Sequence, residues 1–399
     1  MTSPAQSLSE HATIGILGAG AMGSGIAQVA AVAGHEVVVV DALPASIEKA
    51  RQGIQKALAR EVEKGRMSAA TAHESERRLT FVSVSGDYAA FRGCGLVIEA
   101  IVEDLDAKQR AFKAIEAVVD ASCVLATNTS SLSVAAIGAG CAHPGRVIGL
   151  HFFNPAPVLP LVEVVSAITS DPGVVAGARA LVDRWGKVTV LAADTPGFIV
   201  NRVARPFYGE SLRILEEGIA DVATIDWALR ELGGFRMGPF ELMDLIGNDV
   251  NYAVTRGVFE ALGCDPRYRP SVTQRRMVDA GRLGRKSGVG YYDYRSGAEK
   301  PGPNTDPALG ARVLDRVVAM LINEAADATL FGVASPADID LAMTRGVNYP
   351  KGLLAWADDL GVANVYQRMV ALHDEYAEDR YRPSALLRRM AREGRRFHS

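Results

Sequence analysis

The stretch Thr13-Ile-Gly-Ile-Leu-Gly-Ala-Gly-Ala-Met-Gly23 decides the fold of the first half of this chain. Its first five residues form a short apolar run typical of a buried strand, and the residues from Ile26 to Ala33 have a helical pattern. The next apolar run, Glu36-Val-Val-Val-Val40, ends in Asp41. A Gly-x-Gly-x-x-Gly loop between a strand and a helix, followed about 20 positions later by an acidic residue, indicates a dinucleotide-binding βαβ unit.

Each part of this motif has a physical role in holding a dinucleotide. Gly18 permits the tight turn, Gly20 lets the backbone approach the pyrophosphate, and Gly23 allows close packing of helix on strand. The helix N-terminus supplies amide donors for the phosphates. Asp41 is expected to accept hydrogen bonds from the adenosine ribose and to repel a 2′-phosphate, which favours NAD over NADP. The loop residues predicted to contact the cofactor are Gly18, Gly20, Ala21, Met22 and Gly23.

Two alternatives to this interpretation are a tight turn without a ligand, and FAD as the dinucleotide. The second half of the chain does not resemble the partner domain of a flavin enzyme, which makes FAD the weaker choice. We therefore expect NAD.

Further strand-like runs alternate with helical patterns up to about residue 193, which predicts a doubly wound, Rossmann-type, mostly parallel sheet. These runs are Leu96–Ala100, Val124–Ala126, Val147–Leu150, Leu161–Val165 and Val188–Leu191. After Asp194 the strand-like runs disappear and helical patterns continue to the end of the sequence. The predicted fold class is thus an α/β N-terminal domain followed by all-α domains.

The helical half contains an internal repeat. Gly238-Pro-Phe-Glu-Leu-Met-Asp244 matches Gly352-Leu-Leu-Ala-Trp-Ala-Asp358, and Asp226 matches Asp340, at a separation of 114 residues. We therefore expect two tandem helical domains, with a seam where Gly, Pro, Asn and Asp gather between Ser296 and Pro307. The predicted domains are residues 1–193, 194–295 and 296–399.

Composition excludes several classes of protein. The 399 residues carry a net charge of −3, which gives no electrostatic basis for binding nucleic acid or an anionic membrane. No run approaches 18 apolar residues, and Met1–His11 lacks the pattern of a signal peptide, so we expect a cytoplasmic protein. The four cysteines show no metal-ligand spacing and are expected to be buried thiols in a reducing compartment; no metal is expected. They are Cys94, Cys123, Cys141 and Cys264.

A histidine and a carboxylate mark the candidate chemistry. His151 follows a strand, at the end where open α/β sheets bind ligands. Glu163 lies inside the apolar run Leu161–Val165, where a charge is costly unless it is paired. A carboxylate that accepts from one imidazole nitrogen leaves the other for a substrate hydroxyl, as a dehydrogenase requires. A histidine in this position can also be purely structural, but the nucleotide motif favours catalysis.

Two further polar segments allow more than one interpretation from the residues alone. Thr127 to Ser131 can simply cap a helix, or can contact a ligand. Asn201, in an apolar helix start, can be a satisfied core amide or can polarise a carbonyl.

Four strings, in this order, resemble the 3-hydroxyacyl-CoA dehydrogenase family, in the bacterial 3-hydroxybutyryl-CoA or 3-hydroxyadipyl-CoA dehydrogenase branch. They are TNTSS (127–131), HFFNP (151–155), LVEV (161–164) and DTPGFIVNR (194–202). The resemblance covers essentially the whole chain. It implies NAD-dependent, reversible oxidation of an (S)-3-hydroxyacyl-CoA to a 3-ketoacyl-CoA. It also implies that His151 is the catalytic acid/base and Glu163 its orienting partner.

The resemblance assigns roles to other residues. Ser130 and Asn201 are expected to contact the 3-hydroxy or 3-keto oxygen and the thioester region. Glu103 and Lys108 match positions near the nicotinamide-side ribose. Asn128 matches a position that contacts the nicotinamide end or the substrate.

The acyl and CoA contacts are less well determined by the sequence. Leu159-Pro160 stands where family members often carry Met-Lys, so a cation near the pantetheine is missing. Lys56 and its basic neighbours on the same predicted helix could contact the CoA phosphates or could form a solvated face. A dicarboxylic substrate would need a cation at the far end of the acyl pocket. Several arginines could serve, including Arg202, Arg205 and Arg236, and the sequence does not choose among them.

The second helical copy is not expected to bring a second active site, because Asp315 stands opposite Asn201 in the repeat. Since single-copy family members pack as homodimers through this domain, we expect the second copy to form an internal pseudo-dimer with the first; further homo-oligomerisation stays open. Two alternative functions also stay open. One is a related NAD-dependent dehydrogenase of a free hydroxy acid or sugar acid, and the other is a nucleotide-binding structural or regulatory protein without activity.

Overall fold

The computed structural model describes residues 8–84 and 86–398 and divides into two compact units. The first unit ends at Thr195 and the second begins at Pro196. The expectation about a signal peptide falls largely on Met1–Ser7, outside the described residues. No helix within the described ranges is both long and apolar enough to cross a membrane.

The first unit is built on an eight-stranded sheet in the order β3-β2-β1-β4-β5-β6-β7-β8. All neighbouring strands are parallel except β6 and β7. This order confirms the predicted doubly wound, mostly parallel fold. The strands are β1 Thr13–Leu17, β2 Val37–Asp41, β3 Leu79–Ser83, β4 Cys94–Glu99, β5 Val124–Thr127, β6 Val147–Phe152, β7 Leu161–Ser166 and β8 Val188–Ala193.

The helices of this unit cover the sheet and close its core. They are α1 Ala21–Val32, α2 Pro44–Glu63, α3 Ala69–Arg77, α4 Leu105–Glu116, α5 Val134–Gly138 and α6 Pro172–Arg184. Asp171 caps α6 by accepting a hydrogen bond from the Gly173 amide at 2.7 Å, with Pro172 in the first turn. Apolar side chains from both the sheet and the helices, such as Ile16 and Ile26, are fully buried between them.

The antiparallel pairing of β6 with β7 determines the position of the candidate chemical residues. Only eight residues join these two strands, too few for the crossover that parallel neighbours need. The strands therefore form a hairpin-like pair, and its register sets His151 directly opposite Glu163. The strand β6 extends to Phe152, so His151 lies within the strand rather than after it, which corrects the sequence expectation.

The second unit is helical, as predicted, and its longest helix is α13, which packs against α8. Its helices are α7 Val200–Val203, α8 Arg205–Glu216, α9 Val222–Trp227, α10 Pro239–Ile246, α11 Asn248–Ala261, α12 Val272–Asp279, α13 Pro307–Leu330, α14 Pro336–Gly346, α15 Leu353–Leu360, α16 Val362–Tyr376 and α17 Ala385–Glu393, with a π-helical turn at Ala228–Leu232. Residues 300–306, within the predicted seam, are in neither helix nor strand.

The sequence repeat is visible as a repeat of hydrogen bonds. Asp226 accepts from the amides of Phe240 and Glu241 at 2.9 and 3.0 Å, and thereby caps the N-terminus of α10. Asp340, its counterpart, accepts from the amides of Leu354 and Ala355 at 2.8 and 2.9 Å at the N-terminus of α15. The two aspartates hold equivalent helix starts.

Two buried glutamates join the two halves of the repeat reciprocally. Glu324 in the second half is bound by three groups of the first half. These are Arg202 Nε at 2.8 Å, Arg267 Nη1 at 3.4 Å and the Tyr268 hydroxyl. Glu210 in the first half is bound by the counterparts of those groups in the second half. These are Arg316 Nε at 2.5 Å, Arg380 Nε at 3.3 Å and the Tyr381 hydroxyl at 2.7 Å.

Three of the four cysteines are buried, and one is exposed. Cys94, Cys123 and Cys141 are buried, and burial raises the pKa of the Cys94 thiol to about 11. Cys264 is exposed, so the expectation of a buried thiol is wrong at that position. Across residues 8–84 and 86–398, no three His, Cys, Asp or Glu side chains are grouped as metal ligands.

Candidate active site

The glycine loop after β1 has the geometry that a dinucleotide requires. Gly18 has a φ of +104°, and a Cβ atom there would lie 2.6 Å from the Ala100 carbonyl oxygen. A Cβ on Gly23 would lie 1.8 Å from the Gly18 carbonyl oxygen, so α1 can approach the loop only with glycine. A Cβ on Gly20 would meet nothing within 4 Å. That open space, at the N-terminus of α1, is where a pyrophosphate can approach the backbone.

Asp41 ends β2 beside this loop. Its Oδ2 accepts from the Ala19 amide at 2.7 Å and its Oδ1 from the Leu43 amide at 2.8 Å. These bonds fix the carboxylate next to the glycine loop, and each oxygen keeps a second lone pair for a ribose hydroxyl. The residues present therefore fit the adenosine half of NAD.

The sheet order reverses between β1 and β4, and ligands of open α/β sheets bind at such a switch point. At the end of β4, Glu99 is fully buried and its carboxylate binds Lys108 Nζ at 2.6 Å and Thr127 Oγ1 at 2.7 Å. Glu99 also accepts from the Ile101 amide at 2.7 Å. This cluster joins β4, β5 and α4 beneath the crevice.

Glu103 extends the cluster toward the loop that contains Ser130. Its Oε1 accepts from Thr129 Oγ1 at 2.6 Å and from the Ser130 amide at 3.0 Å, while its Oε2 lies 3.3 Å from Lys108 Nζ. Burial alone would raise the pKa of Glu103, but the Thr129 hydrogen bond and the Lys108 charge bring it below its ordinary value. Glu103 is therefore an ionised group that fixes the Ser130 loop.

The His151–Glu163 pair is the central feature of the site. His151 Nδ1 lies 2.6 Å from Glu163 Oε2; the histidine is 6% exposed and the glutamate is fully buried. The Phe153 ring packs against the imidazole with its centroid 4.5 Å away. A buried carboxylate can only accept here, so Nδ1 carries the proton and Nε2 is the nitrogen that can exchange one with a ligand.

Asn128 connects the polar loop with the histidine strand. Its Oδ1 accepts from the Phe152 amide at 2.8 Å, one residue after His151. The backbone amide of Asn128 donates to the backbone carbonyl of Glu99 at 2.8 Å. Asn128 thus lies between β4 and β6 at the carboxyl ends of the strands, where the nicotinamide end of the cofactor and the substrate are expected.

In the first unit, most of the predicted site residues lie at or near the carboxyl ends of the parallel strands. Two predicted residues lie elsewhere: Asn201 is on α7 of the second unit, and Lys56 is exposed on α2. The sequence interpretation missed Glu99, although a carboxylate at the end of the apolar run Leu96–Ala100 is the same signal that identified Glu163.

Comparison with known proteins identifies the family. The model for the 3-hydroxyacyl-CoA dehydrogenase NAD-binding domain matches residues 13–195. The model for the C-terminal domain of 3-hydroxyacyl-CoA dehydrogenase matches twice, at residues 197–294 and 313–397. The chain belongs to the 3-hydroxyacyl-CoA dehydrogenase family. It is an NAD-dependent oxidoreductase, and the glycine loop and Asp41 are the part of this dehydrogenase that fits the cofactor.

Relatives of this dehydrogenase differ in how much of the chain they match. The 3-hydroxyadipyl-CoA dehydrogenase of Escherichia coli strain K12 is 39% identical, over 95% of this chain and 97% of the relative. The 3-hydroxybutyryl-CoA dehydrogenase of Mycobacterium tuberculosis strain H37Rv is 40% identical, over 70% of this chain and 98% of the relative. The crystal structure of a 3-hydroxybutyryl-CoA dehydrogenase from E. coli K12 superposes with a TM-score of 0.91 at 38% identity, covering 96% of this chain and 99% of that chain.

Proposed function

We propose that this dehydrogenase oxidises (S)-3-hydroxyacyl-CoA thioesters, such as 3-hydroxybutyryl-CoA or 3-hydroxyadipyl-CoA, to 3-ketoacyl-CoA, with His151 and Glu163 as its acid/base pair. The names of the relatives support the substrate class. The observation that carries the acid/base assignment is the buried Nδ1–Oε2 contact of 2.6 Å at the carboxyl end of the sheet. A charge at this depth is retained only where it is paired.

In the proposed mechanism Glu163 holds the imidazole in the tautomer with the proton on Nδ1. His151 Nε2 then accepts the proton of the 3-hydroxyl, and the Glu163 carboxylate stabilises the imidazolium that forms. NAD, when bound, supplies the hydride acceptor for C3. In the reverse direction the imidazolium returns its proton to the keto oxygen.

The other predicted residues take supporting roles in this proposal. Ser130 and Asn201 contact the 3-oxygen and the thioester region and stabilise the charge that develops there. Asn128 and Glu103 lie toward the nicotinamide end, and Lys108 acts there through its ion pair with Glu103. Lys56 remains a candidate contact for the CoA phosphates.

The first experiment is NADH oxidation with acetoacetyl-CoA, run in parallel with free acetoacetate and with NADPH in place of NADH. Turnover only with the thioester and NADH would support the substrate class and the cofactor preference together. Turnover with free acetoacetate would favour the alternative, a dehydrogenase of a free hydroxy acid or sugar acid. In the same assay His151→Ala should lower turnover by orders of magnitude while NADH affinity stays near normal; unchanged turnover would refute the assignment of the base.

We further propose that the helical unit is an internal pseudo-dimer, with residues 194–295 as the first helical domain and 296–399 as the second, after an NAD-binding domain of residues 1–193. The reciprocal bonds of Glu210 and Glu324 support this, because a two-fold interface pairs the same groups in both directions. Size-exclusion chromatography with light scattering tests it. A dimer of the full chain that is dissolved by removing the residues after about 300 would contradict the proposal.

A further inference from the structure

Arg205, the first residue of α8, is a buried cation without a carboxylate partner among the described residues. It is 6% exposed, and its Nη1 donates to the Thr255 hydroxyl at 3.1 Å. Its guanidinium lies over the ring of Tyr208, 4.9 Å from the centroid, while its Nε has no hydrogen-bond partner in the described part of the chain. Burying an unpaired charge is costly, and native proteins rarely keep one without a use for it.

A second unsatisfied group lies near this cation. The Tyr349 side chain is 6% exposed, and its hydroxyl has no hydrogen-bond partner within the described ranges. Its ring packs against that of Phe207, two residues after Arg205 in α8, with the ring centroids 5.6 Å apart. Burial raises the pKa of Tyr349, and the Arg205 charge opposes this rise. The result is a donor-rich cluster without an anion, defined by Arg205, Tyr208, Thr255 and Tyr349.

The equivalent cluster of the repeat folds without these polar groups. Each of the four residues has a counterpart 114 residues away in the opposite half of the repeat, and all four counterparts have apolar side chains. They are Ala319 for Arg205, Ile322 for Tyr208, Met369 for Thr255 and Phe235 for Tyr349. All four are buried. A structural explanation for the arginine therefore has to apply to one half of the repeat and not to the other.

The other candidate arginines are excluded by their surroundings. Arg202 is paired with Glu324, and Arg236 is exposed. Arg205 follows Asn201 by four residues, about one helical turn or roughly 6 Å of rise. In a 3-hydroxyadipyl thioester the terminal carboxylate lies three bonds beyond C3. If the 3-oxygen of the substrate contacts Asn201, its terminal carboxylate therefore lies about as far from Asn201 as Arg205 does, roughly one helical turn.

We propose that Arg205 and the Tyr349 hydroxyl form the binding site for the terminal carboxylate of a dicarboxylyl-CoA substrate. This inference rests on the proposed function, since it places the acyl chain by its contact with Asn201. The carboxylate supplies the missing counter-charge and accepts from Arg205 Nε and from the tyrosine. The site makes this dehydrogenase prefer a dicarboxylic over a monocarboxylic acyl chain.

The test compares 3-hydroxyadipyl-CoA with 3-hydroxyhexanoyl-CoA, which has the same chain length but no terminal carboxylate. The wild type should show a kcat/KM about 10- to 100-fold higher for the adipyl thioester, the range expected for a buried charge-assisted hydrogen bond. Arg205→Met should remove this preference and keep turnover of the hexanoyl substrate. Tyr349→Phe, which introduces the residue found at the equivalent position 235, should reduce the preference by a few-fold.

Equal kcat/KM for the two substrates in the wild type, or a preference that survives Arg205→Met, would overturn the inference. Inactivity with both thioesters would instead refute the proposed function. If Arg205→Met does not fold, inhibition of the wild type by adipyl-CoA and by hexanoyl-CoA decides the question. These analogues lack the 3-oxygen, and the inference requires adipyl-CoA to inhibit at least about 10-fold more tightly.

Discussion

Replacing Glu324 with glutamine should destabilise the helical unit and also impair catalysis. Glu324 is fully buried and binds Arg202 at 2.8 Å and Arg267 at 3.4 Å. Burial alone would lower the pKa of Arg202, but the neighbouring Glu324 and Tyr268 raise it above its ordinary value, so the guanidinium stays charged. Arg267 keeps its ion pair with Asp327 in the variant. Arg202 keeps only weaker neighbours such as the Phe331 ring, 5.8 Å away.

The expected magnitude follows from this loss. Removing one partner of a buried ion pair costs about 3 kcal/mol, which corresponds to a fall in Tm of roughly 6–12 °C for a unit of about 200 residues. Because Arg202 directly follows Asn201 in α7, its displacement should also lower kcat/KM, by about 10-fold. Differential scanning calorimetry and steady-state kinetics with acetoacetyl-CoA measure the two effects.

The repeat supplies a matched control, Glu210→Gln. This substitution breaks the equivalent cluster, but Arg316 keeps Glu217 at 2.7 Å and the Tyr376 hydroxyl at 2.8 Å. Arg316 also follows Asp315, whereas Arg202 follows Asn201, the asparagine of the proposed active site. The control should therefore lower Tm by less and leave kcat/KM near the wild-type value. Equal kinetic losses in both variants, or no fall in Tm in either, would refute the reasoning.

Three further predictions concern the carboxylates. Glu163→Gln should lower kcat by about 10³- to 10⁴-fold with NADH affinity unchanged, because the imidazolium loses its buried partner; stopped-flow turnover and fluorescence titration of NADH measure both. Asp41→Asn should raise the NADPH-to-NADH ratio of kcat/KM at least about 10-fold, since the 2′-phosphate is no longer repelled; an unchanged ratio would place the ribose elsewhere. Burial would raise the pKa of Glu217, but bonds from Arg316 and other donors lower it to about 2. Because the pKa of Glu217 is lower in the folded state than its ordinary value of 4.5, its ionised carboxylate stabilises the folded protein above pH 4.5. This contribution is about 1 kcal/mol after solvent screening. It is lost as the pH falls toward 2. The free energies of unfolding of the wild type and of Glu217→Gln, measured with denaturant, should therefore become equal as the pH is lowered over that range.

The elements with strong local signals could be predicted from the sequence. The strand Val37–Asp41 begins with four consecutive valines, the strand Leu161–Ser166 is apolar except for Glu163 and Ser166, and α6 begins at an aspartate followed by proline. The edge strand Leu79–Ser83 was missed, because it is only partly buried and lacks a continuous apolar run. The short helix α3 before it is strongly polar and gave no clear apolar stripe.

The sequence indicated candidate site residues but not the contacts between them. A charged residue in an apolar strand identified Glu163, but the sequence did not give the antiparallel register that sets it opposite His151. The Glu99–Lys108 ion pair was equally hidden, since nine residues and a turn into α4 separate its partners. Such contacts depend on how strands and helices pack, which local patterns do not specify.

The duplication allows fold and function to be separated within one chain. Several positions that serve the helical fold keep the same residue in both halves, as Asp226 and Asp340 do at the helix starts, and as Glu210 and Glu324 do between the halves. Other positions differ in charge between the two halves. Asn201 against Asp315 and Arg205 against Ala319 are such differences, and both polar groups of the first half belong to the substrate side of the proposed reaction. Glu217 stands opposite Phe331 and owes its charge to an ion pair with Arg316, whereas Arg205 has no carboxylate partner among the described residues. The unpaired charge of Arg205, present in this half only, thus agrees with placing the acyl chain along α7 and the start of α8.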